Sequence, residues 1–519
     1  MTISDDQFDV VIVGAGLGGL TAGAKLAKEG KKTLVIEQHS KMGGCATWFK
    51  REGITFEIGL HEMDGLDNPD NPKQLIFNDL GVYDHVQFLR VPEFYRITNG
   101  RFDVVIPHGV DEARAALSIA FPKDIDAIDT FFVDLERIPR FLRSQNLLEL
   151  APLAHQTIGG YLDSLTDNED LKFALIGNLG YYGDDPYNLS LIFFTSAQRS
   201  FFTGGGHFVR GGSQLLSNYL AEVIEKNGGT VLRRHLAKEI LAEGDRVTGV
   251  VYQKRKPKKK NEKTGKVASE DRDERVQLQT AYADVVISNA SLPQLVNTLI
   301  PSLKDTEFGN TVNSMELPCS LFSFYLGFSD PPSTVGCQHY STFVFSPELK
   351  KLKDFIRFEK SEDYEKKGFV FVDYQSFDTG LNEEGKYAGV ICGIDYLDHW
   401  QKTIGQGEAA YDQKKRQTEE ILLDRLDQVY PGIKDLVTVR EFATPRTIVK
   451  YTMNPQGSVY GFAQTPAQSG PKIRGLRSSP FMNLYFASVW VGSGGFSGAI
   501  SAGYGCASKI LKNHPVINS

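Results

Sequence analysis

"DVVIVGAGLGGLTAGAKLAKEGKKTLVIEQHSKMGG", Asp9 to Gly44, decides how this chain begins to fold. Val10 to Val13 is a continuous apolar run, the pattern of a strand covered on both faces. Gly14-x-Gly16-x-x-Gly19 follows at once, with Gly18 inside it, and a helical pattern runs on through Ala27. A second apolar run, Thr33 to Ile36, ends in Glu37. Strand, glycine turn, helix, strand and an acid about 20 residues on form the arrangement that grips a dinucleotide. Gly14 permits the tight turn, Gly16 admits the pyrophosphate to the backbone, and Gly19 lets helix and strand pack closely. The helix start then offers free N–H groups and the positive end of its dipole to the phosphates. Glu37 is placed to accept hydrogen bonds from ribose hydroxyls and would repel a 2′-phosphate.

The other end of the chain raises a different question. From Ser478 to Ser508 no residue is charged, and "LYFASVWVGSGGFSGAISAGYGCAS" (Leu484 to Ser508) lies within that run. A membrane span needs about 20 mostly apolar residues. Gly492, Gly494, Gly495, Gly498, Gly503 and Gly505 interrupt this one, each disfavouring helix by about 1 kcal/mol relative to alanine. The expected structure is a strand (Asn483 to Ala487), a glycine-rich loop, and a helix from about Gly498 packed closely on a ligand.

With 519 residues the chain exceeds the size of one growing core, so more than one structural unit is expected. Its 41% hydrophobic and 23% charged content is that of a folded globular protein. A net charge of −7 gives no support for a nucleic-acid partner. The cysteines (Cys45, Cys319, Cys337, Cys392, Cys506) form no CxxC pair, and no histidine cluster has metal spacing, so reduced thiols and no metal are expected. The first residues enter a strand pattern directly, so no signal peptide is expected. The expected setting is cytoplasmic, soluble or peripherally membrane-associated.

Gly43-Gly44, shortly after Glu37, extends the opening motif so that it resembles the FAD-binding N-terminus of flavin amine oxidases, phytoene desaturases, carotenoid isomerases and retinol saturase. Val209 to Tyr252, which includes Leu236, looks like the segment that leads from a helix to a strand over the adenosine end of FAD. Ala283 to Ser291 looks like the strand returning to the flavin domain. "TPRTIVKYTMNPQGSVYGF" (Thr444 to Phe462) is similar to a stretch of the desaturase and isomerase branch, and "GGCATWFKREGITFEIGLHEMDGL" (Gly43 to Leu66) reads most like retinol saturase. The resemblance covers essentially the whole chain. It implies an α/β fold: a Rossmann-type FAD-binding domain from residues 1–82, 205–311 and 441–519, with an inserted mixed-sheet α+β substrate domain and helical cap from 83–204 and 312–440. FAD is the implied cofactor, with Gly14, Gly16, Gly18, Gly19, Glu37, Gly43, Gly44, Cys45 and Leu236 on its nucleotide side. Val489, Gly498, Ala499 and Ile500 fall at its ring, the last three through backbone N–H groups. Two departures stand out. Many relatives end the last flavin strand in Gly-Asp, where this chain has Ser488-Val489, and amine oxidases usually carry arginine where this chain has Cys45.

The implied activity is FAD-dependent saturation, desaturation or cis–trans isomerisation of carbon–carbon bonds in a long hydrophobic polyene, isoprenoid or unsaturated fatty chain, with the electron donor or acceptor unnamed. Three other readings stay open: a flavin amine oxidase, a non-catalytic prenyl carrier like the Rab GDP dissociation inhibitors, and a flavin-bearing protein with a decayed active site, which Val489 keeps open. No Ser-His-Asp or paired-carboxylate pattern points to hydrolysis. The candidate proton donors are His61, Glu62 and His207, each with a structural hydrogen bond as the alternative reading; Tyr451 and Tyr460 are weaker candidates. Ser190 to Phe208 and Ile138 to Leu150 are rich in aromatic and aliphatic residues. They read either as core helices or as walls of a lipid tunnel whose mouth rests on a membrane. Gln253 to Arg275 reads as a solvated, charge-dense hairpin.

Overall fold

The computed structural model describes residues 7–255 and 277–515; the expected charged hairpin lies, past Arg255, outside the described residues. Two seven-stranded sheets organise the chain. In the first, the order is Thr230–Arg233, Thr33–Glu37, Gln7–Val13, Leu278–Ser288, Arg246–Lys254, His235–Glu243, with Leu484–Phe486 also beside Leu278–Ser288. The strand Leu278–Ser288 does two jobs. Its first residues pair antiparallel with Arg246–Lys254, while Val286–Ser288 pair in parallel with Leu484–Phe486. The last strand of the chain therefore lies in the same sheet as the first.

Alternation along Gln7–Val13 explains why that strand is buried on both faces. Val10 and Ile12 join the core beneath the helices, and Val11 and Val13 join a second cluster on the opposite face. On the helical side, Leu17–Lys28 lies against both Gln214–Lys226 and the final helix, Gly495–Asn513. The final helix comes close because Gly503 has no side chain: a Cβ there would collide with the Gly18 carbonyl oxygen. Part of the glycine content of the tail thus serves backbone-to-backbone packing rather than contact with a ligand. Asn483 fixes the last strand, its amide accepting from the Val247 N–H at 2.8 Å and donating to the Asp284 carbonyl at 2.6 Å. Among the described residues no helix is long and apolar enough to cross a membrane.

The second sheet runs Val437–Ala443, Ser320–Phe328, Tyr387–Asp395, Phe369–Asp373, Ser341–Val344, Tyr95–Thr98, Asp103–Ile106. It is mixed, because Ser341–Val344 and Tyr95–Thr98 run in parallel while the other neighbours are antiparallel. Phe322, Phe324, Phe371 and Ile391 cover one face against Leu422, Leu423 and Leu426 of the helix Glu408–Val429. The alternate residues Leu321, Ser323 and Tyr325 face the other way, into a cavity. Helices within residues 110–204 close that side, and the last of them, Leu191–Gly204, forms the facing wall.

Candidate active site

One continuous cavity of about 2200 Å³ runs from the opening glycine turn, past the tail, to the space between helix Leu191–Gly204 and the second sheet. Ligand pockets are usually about 300–1,000 Å³, so this space has room for a dinucleotide and a second molecule.

The nucleotide-side residues meet at one end. Gly14 turns the chain at φ +97°. A Cβ at Gly19 would strike the Gly14 carbonyl oxygen, and one at Gly18 would strike that of Ala487. Gly16 differs, since its nearest obstacle is only the Asn289 side-chain amide, and it opens on the cavity. Gly16 caps the helix without a side-chain bond and no acid occupies the first turn, so the positive helix end borders the cavity. Gly43 donates to the Ala15 carbonyl at 2.7 Å and, with Gly44 and Cys45, continues the cavity wall. Burial pushes the Cys45 thiol up, which keeps it protonated. Leu236 lines the same end from the strand His235–Glu243. Glu37 also lines it, yet its carboxylate already accepts from the Ala15 N–H at 2.8 Å and the His39 N–H at 2.6 Å. Burial raises its pKa against those two bonds.

At the tail the helix begins at Gly495, three residues ahead of the expected Gly498, because Gly494 takes an extended backbone and serves as N-cap. The N–H groups of Gly498, Ala499 and Ile500 therefore fall inside the helical ladder, and Ile500 is fully buried away from the cavity. The free donors are those of Gly495, Phe496 and Ser497, a second bare helix start facing the same space. Val489 opens a short 3-10 turn and lines the cavity with Ser488.

The catalytic candidates separate. His61 and Glu62 line the cavity; His207 does not. His207 sits in a short strand paired with Met63 and Arg90, buried, its Nε2 at 2.9 Å from Asp67 Oδ1. That bond, and its place off the cavity, favour the structural reading of His207 over the proton donor. Burial pushes His61 down to about 4, so it is neutral at pH 7, and its ring meets Tyr181 edge-on at 6.1 Å. Both carboxyl oxygens of Glu62 are shielded from solvent, and among the described residues neither they nor the Tyr181 hydroxyl opposite have a partner in full hydrogen-bonding geometry. Gly206 makes the room, since a Cβ there would overlap Glu62 Oε2. Burial raises the Glu62 carboxyl well above its usual value, against the opposing Tyr181 hydroxyl and with smaller contributions from Glu93 and Asp64, which favours its neutral form. Asp64 behaves oppositely. Burial works to raise it, but Lys73 at 3.2 Å and the hydroxyls of Ser200 and Ser497 together hold it low.

Of the two lipid-tunnel stretches, Ser190 to Phe208 supplies the wall through Phe193, Ala197 and Phe201. Ile138 to Leu150 does not touch the cavity; Leu147 and Leu148 are instead 75% and 90% exposed. Sequence reasoning passed over Asn289, Asp64 and Tyr181. Asn289 follows the returning strand at the edge where open α/β sheets place ligands, the one signal that could have marked it.

A model of the NAD(P)-binding Rossmann-like domain matches residues 12–76. All-trans-retinol 13,14-reductase of Danio rerio is 26% identical over 98% of this chain and 87% of its own length. The Homo sapiens protein of that name is 23% identical over 98% and 86%. Prolycopene isomerase of Arabidopsis thaliana chloroplasts is 24% identical over 98% and 83%. Among solved structures, cyclohexylamine oxidase of Brevibacterium oxydans superposes with a TM-score of 0.62 at 14% identity, covering 98% of this chain and 99% of that one. Putrescine oxidase bound to putrescine gives 0.62 at 16% identity, with the same coverage. Fold and site thus define a Rossmann-type α/β protein carrying a second, mixed-sheet unit. Within that class the chain is similar along its length to all-trans-retinol 13,14-reductases and prolycopene isomerases.

Proposed function

We propose that the chain is an FAD-dependent enzyme that acts on carbon–carbon double bonds of a long apolar polyene, and that saturation is the direction its residues serve best. The observation that carries this reading is the single cavity, bordered by two bare helix starts at one end and by aromatic and aliphatic walls at the other. The residues present fit FAD. Gly16 leaves the pyrophosphate's approach clear, Glu37 would border the ribose, Leu236 the adenine, and the Gly495–Ser497 amides the ring. When bound, the flavin would supply hydride exchange at carbon.

The chain's own part is to hold an apolar substrate between Phe193, Ala197 and Phe201 on one side and Phe343, Val370 and Ile394 on the other, and to exclude water. Glu62 is an uncharged acid at the wall, facing Tyr181, so it can give a proton but is a poor base near pH 7. Saturation consumes a proton, desaturation releases one, and isomerisation needs none in net; a neutral acid therefore favours the first. Leu147 and Leu148, beside Arg140 and Arg143 at the end of helix Ile125–Arg143, form the surface we assign to contact with a lipid headgroup layer.

The purified protein should be yellow and release FAD on denaturation. Anaerobic incubation of the flavin-reduced protein with all-trans-retinol and carotenoids should yield a product two hydrogens heavier by mass spectrometry, and Glu62→Gln should slow that step at least about 100-fold. A product of unchanged mass would make the protein an isomerase, and a colourless protein would remove the flavin altogether.

A further inference from the structure

At the end of the cavity away from the glycine turn, one polar atom stands in apolar surroundings. Glu359 closes the short helix Phe355–Glu359 and is 1% exposed. Its Oε1 accepts from the Gly368 N–H at 2.8 Å, while Oε2 has no hydrogen-bond partner among the described residues. Gly368, Phe345, Phe355 and Phe369 surround it on the cavity wall. The nearby cations are already committed. Lys367 Nζ donates to the Glu359 main-chain carbonyl and to that of Ile394, and lies 3.9 Å from Asp395. Arg425 Nη1 donates to the Tyr364 and Lys367 carbonyls at 2.9 and 2.6 Å. An unmet acceptor shielded from solvent is unfavourable, so an occupant that donates to it is held there.

The position of Glu359 relative to Tyr181 and Glu62 follows from one strand. Phe343 touches the Tyr181 ring at 5.7 Å, and Phe345, two residues on, touches Phe355 at 5.8 Å. Two residues of extended chain cover roughly 7 Å, so Phe343 and Phe345 set the two polar stations apart along the wall.

We propose that Glu359 anchors the hydroxyl end of an apolar substrate whose unsaturated chain reaches back towards Tyr181 and Glu62. This rests on the polyene reading above and adds the terminal group to it. A hydroxyl both donates and accepts, so it pairs with the acid whether charged or neutral. An ether or hydrocarbon end offers no donor to the charged form. An amine end would bring a second buried cation beside Lys367.

The test uses flavin-loaded protein at pH 8 and two probes that differ in one group, all-trans-retinol and retinyl methyl ether, with Kd read from quenching of protein fluorescence. Wild-type protein should bind the alcohol at least about tenfold more tightly than the ether. In Glu359→Gln the amide oxygen takes the Gly368 N–H and the NH2 group faces the cavity, so the preference should collapse to within about threefold without a fall in melting temperature. Equal affinity for both probes in wild type, or an unchanged preference in Glu359→Gln, overturns the anchor and leaves the polyene reading standing. Wild-type protein that retains its flavin and binds neither probe overturns both.

Discussion

Asn289 ties three backbones together. Its amide donates to the Ala487 carbonyl at 2.7 Å and accepts from the Gly16 N–H at 3.2 Å, joining the opening turn to the end of the last strand. Beyond its place after the returning strand, nothing in "ADVVISNAS" (Ala283 to Ser291) marks it, because its partners are main-chain atoms roughly 200 and 270 residues away in sequence, and only tertiary structure supplies them. The glycine residues were legible for the opposite reason: their spacing is dictated by local turn geometry. Gly16→Val should therefore remove FAD from the purified protein without preventing folding, since only a movable amide and the open cavity lie in the way of the new side chain. Full flavin content by absorbance would show that the phosphates do not approach there. Glu37→Gln should weaken FAD affinity by about 1–3 kcal/mol in a titration of apoprotein, the scale of a charge-assisted hydrogen bond. Unchanged affinity would confine Glu37 to its two backbone bonds.

Helix starts and ends show where pattern reading reached its limit. The opening helix was placed almost to the residue because a strand precedes it and one glycine turn admits one geometry. The final helix began three residues early because a run of glycine, serine and one phenylalanine has no periodicity from which to fix its first turn. That helix should be intolerant at the crossing: Gly503→Ala forces its Cβ into the Gly18 carbonyl and should cost about 1–3 kcal/mol in the denaturant midpoint. Gly505→Ala, with open space around it, serves as the control and should shift the midpoint by less than about 1 kcal/mol. The short helix Leu147–Leu150 misled in another way. Leu147 and Leu148 read as core or tunnel wall by composition, yet they are exposed while Leu150 is buried, and hydrophobicity alone does not say which surface is covered. A Leu147→Ser, Leu148→Ser double variant should lose flotation with anionic phosphatidylserine vesicles at unchanged melting temperature; undiminished flotation would assign the lipid contact elsewhere.

Across the whole molecule, three buried carboxyls make stability depend on pH. Burial pushes Glu57, Glu359 and Asp373 each up to about 7, against hydrogen bonds that pull the other way. A carboxyl whose folded pKa lies above its unfolded value stabilises the fold fully below the unfolded value, and that contribution is lost as pH rises from about 4.5 to about 7. The melting temperature of wild type relative to Glu57→Gln should accordingly be most favourable at pH 4.5 and decline towards pH 7.5; a difference constant with pH would mean Glu57 is charged throughout. The α/β class and the pairing of the chain's two ends in one sheet were readable from the opening motif and the tail. The join between residues 95–106 and residues 341–344 in the second sheet was not, because pairing across about 240 residues leaves no periodic trace in either segment. The central claim is that the opening turn and the final helix border one FAD. A crystal structure of the protein grown with FAD tests it most directly. Electron density should run from Glu37 past Gly16 to the amides of Gly495–Ser497; FAD bound elsewhere, or a cavity that takes none, would contradict it.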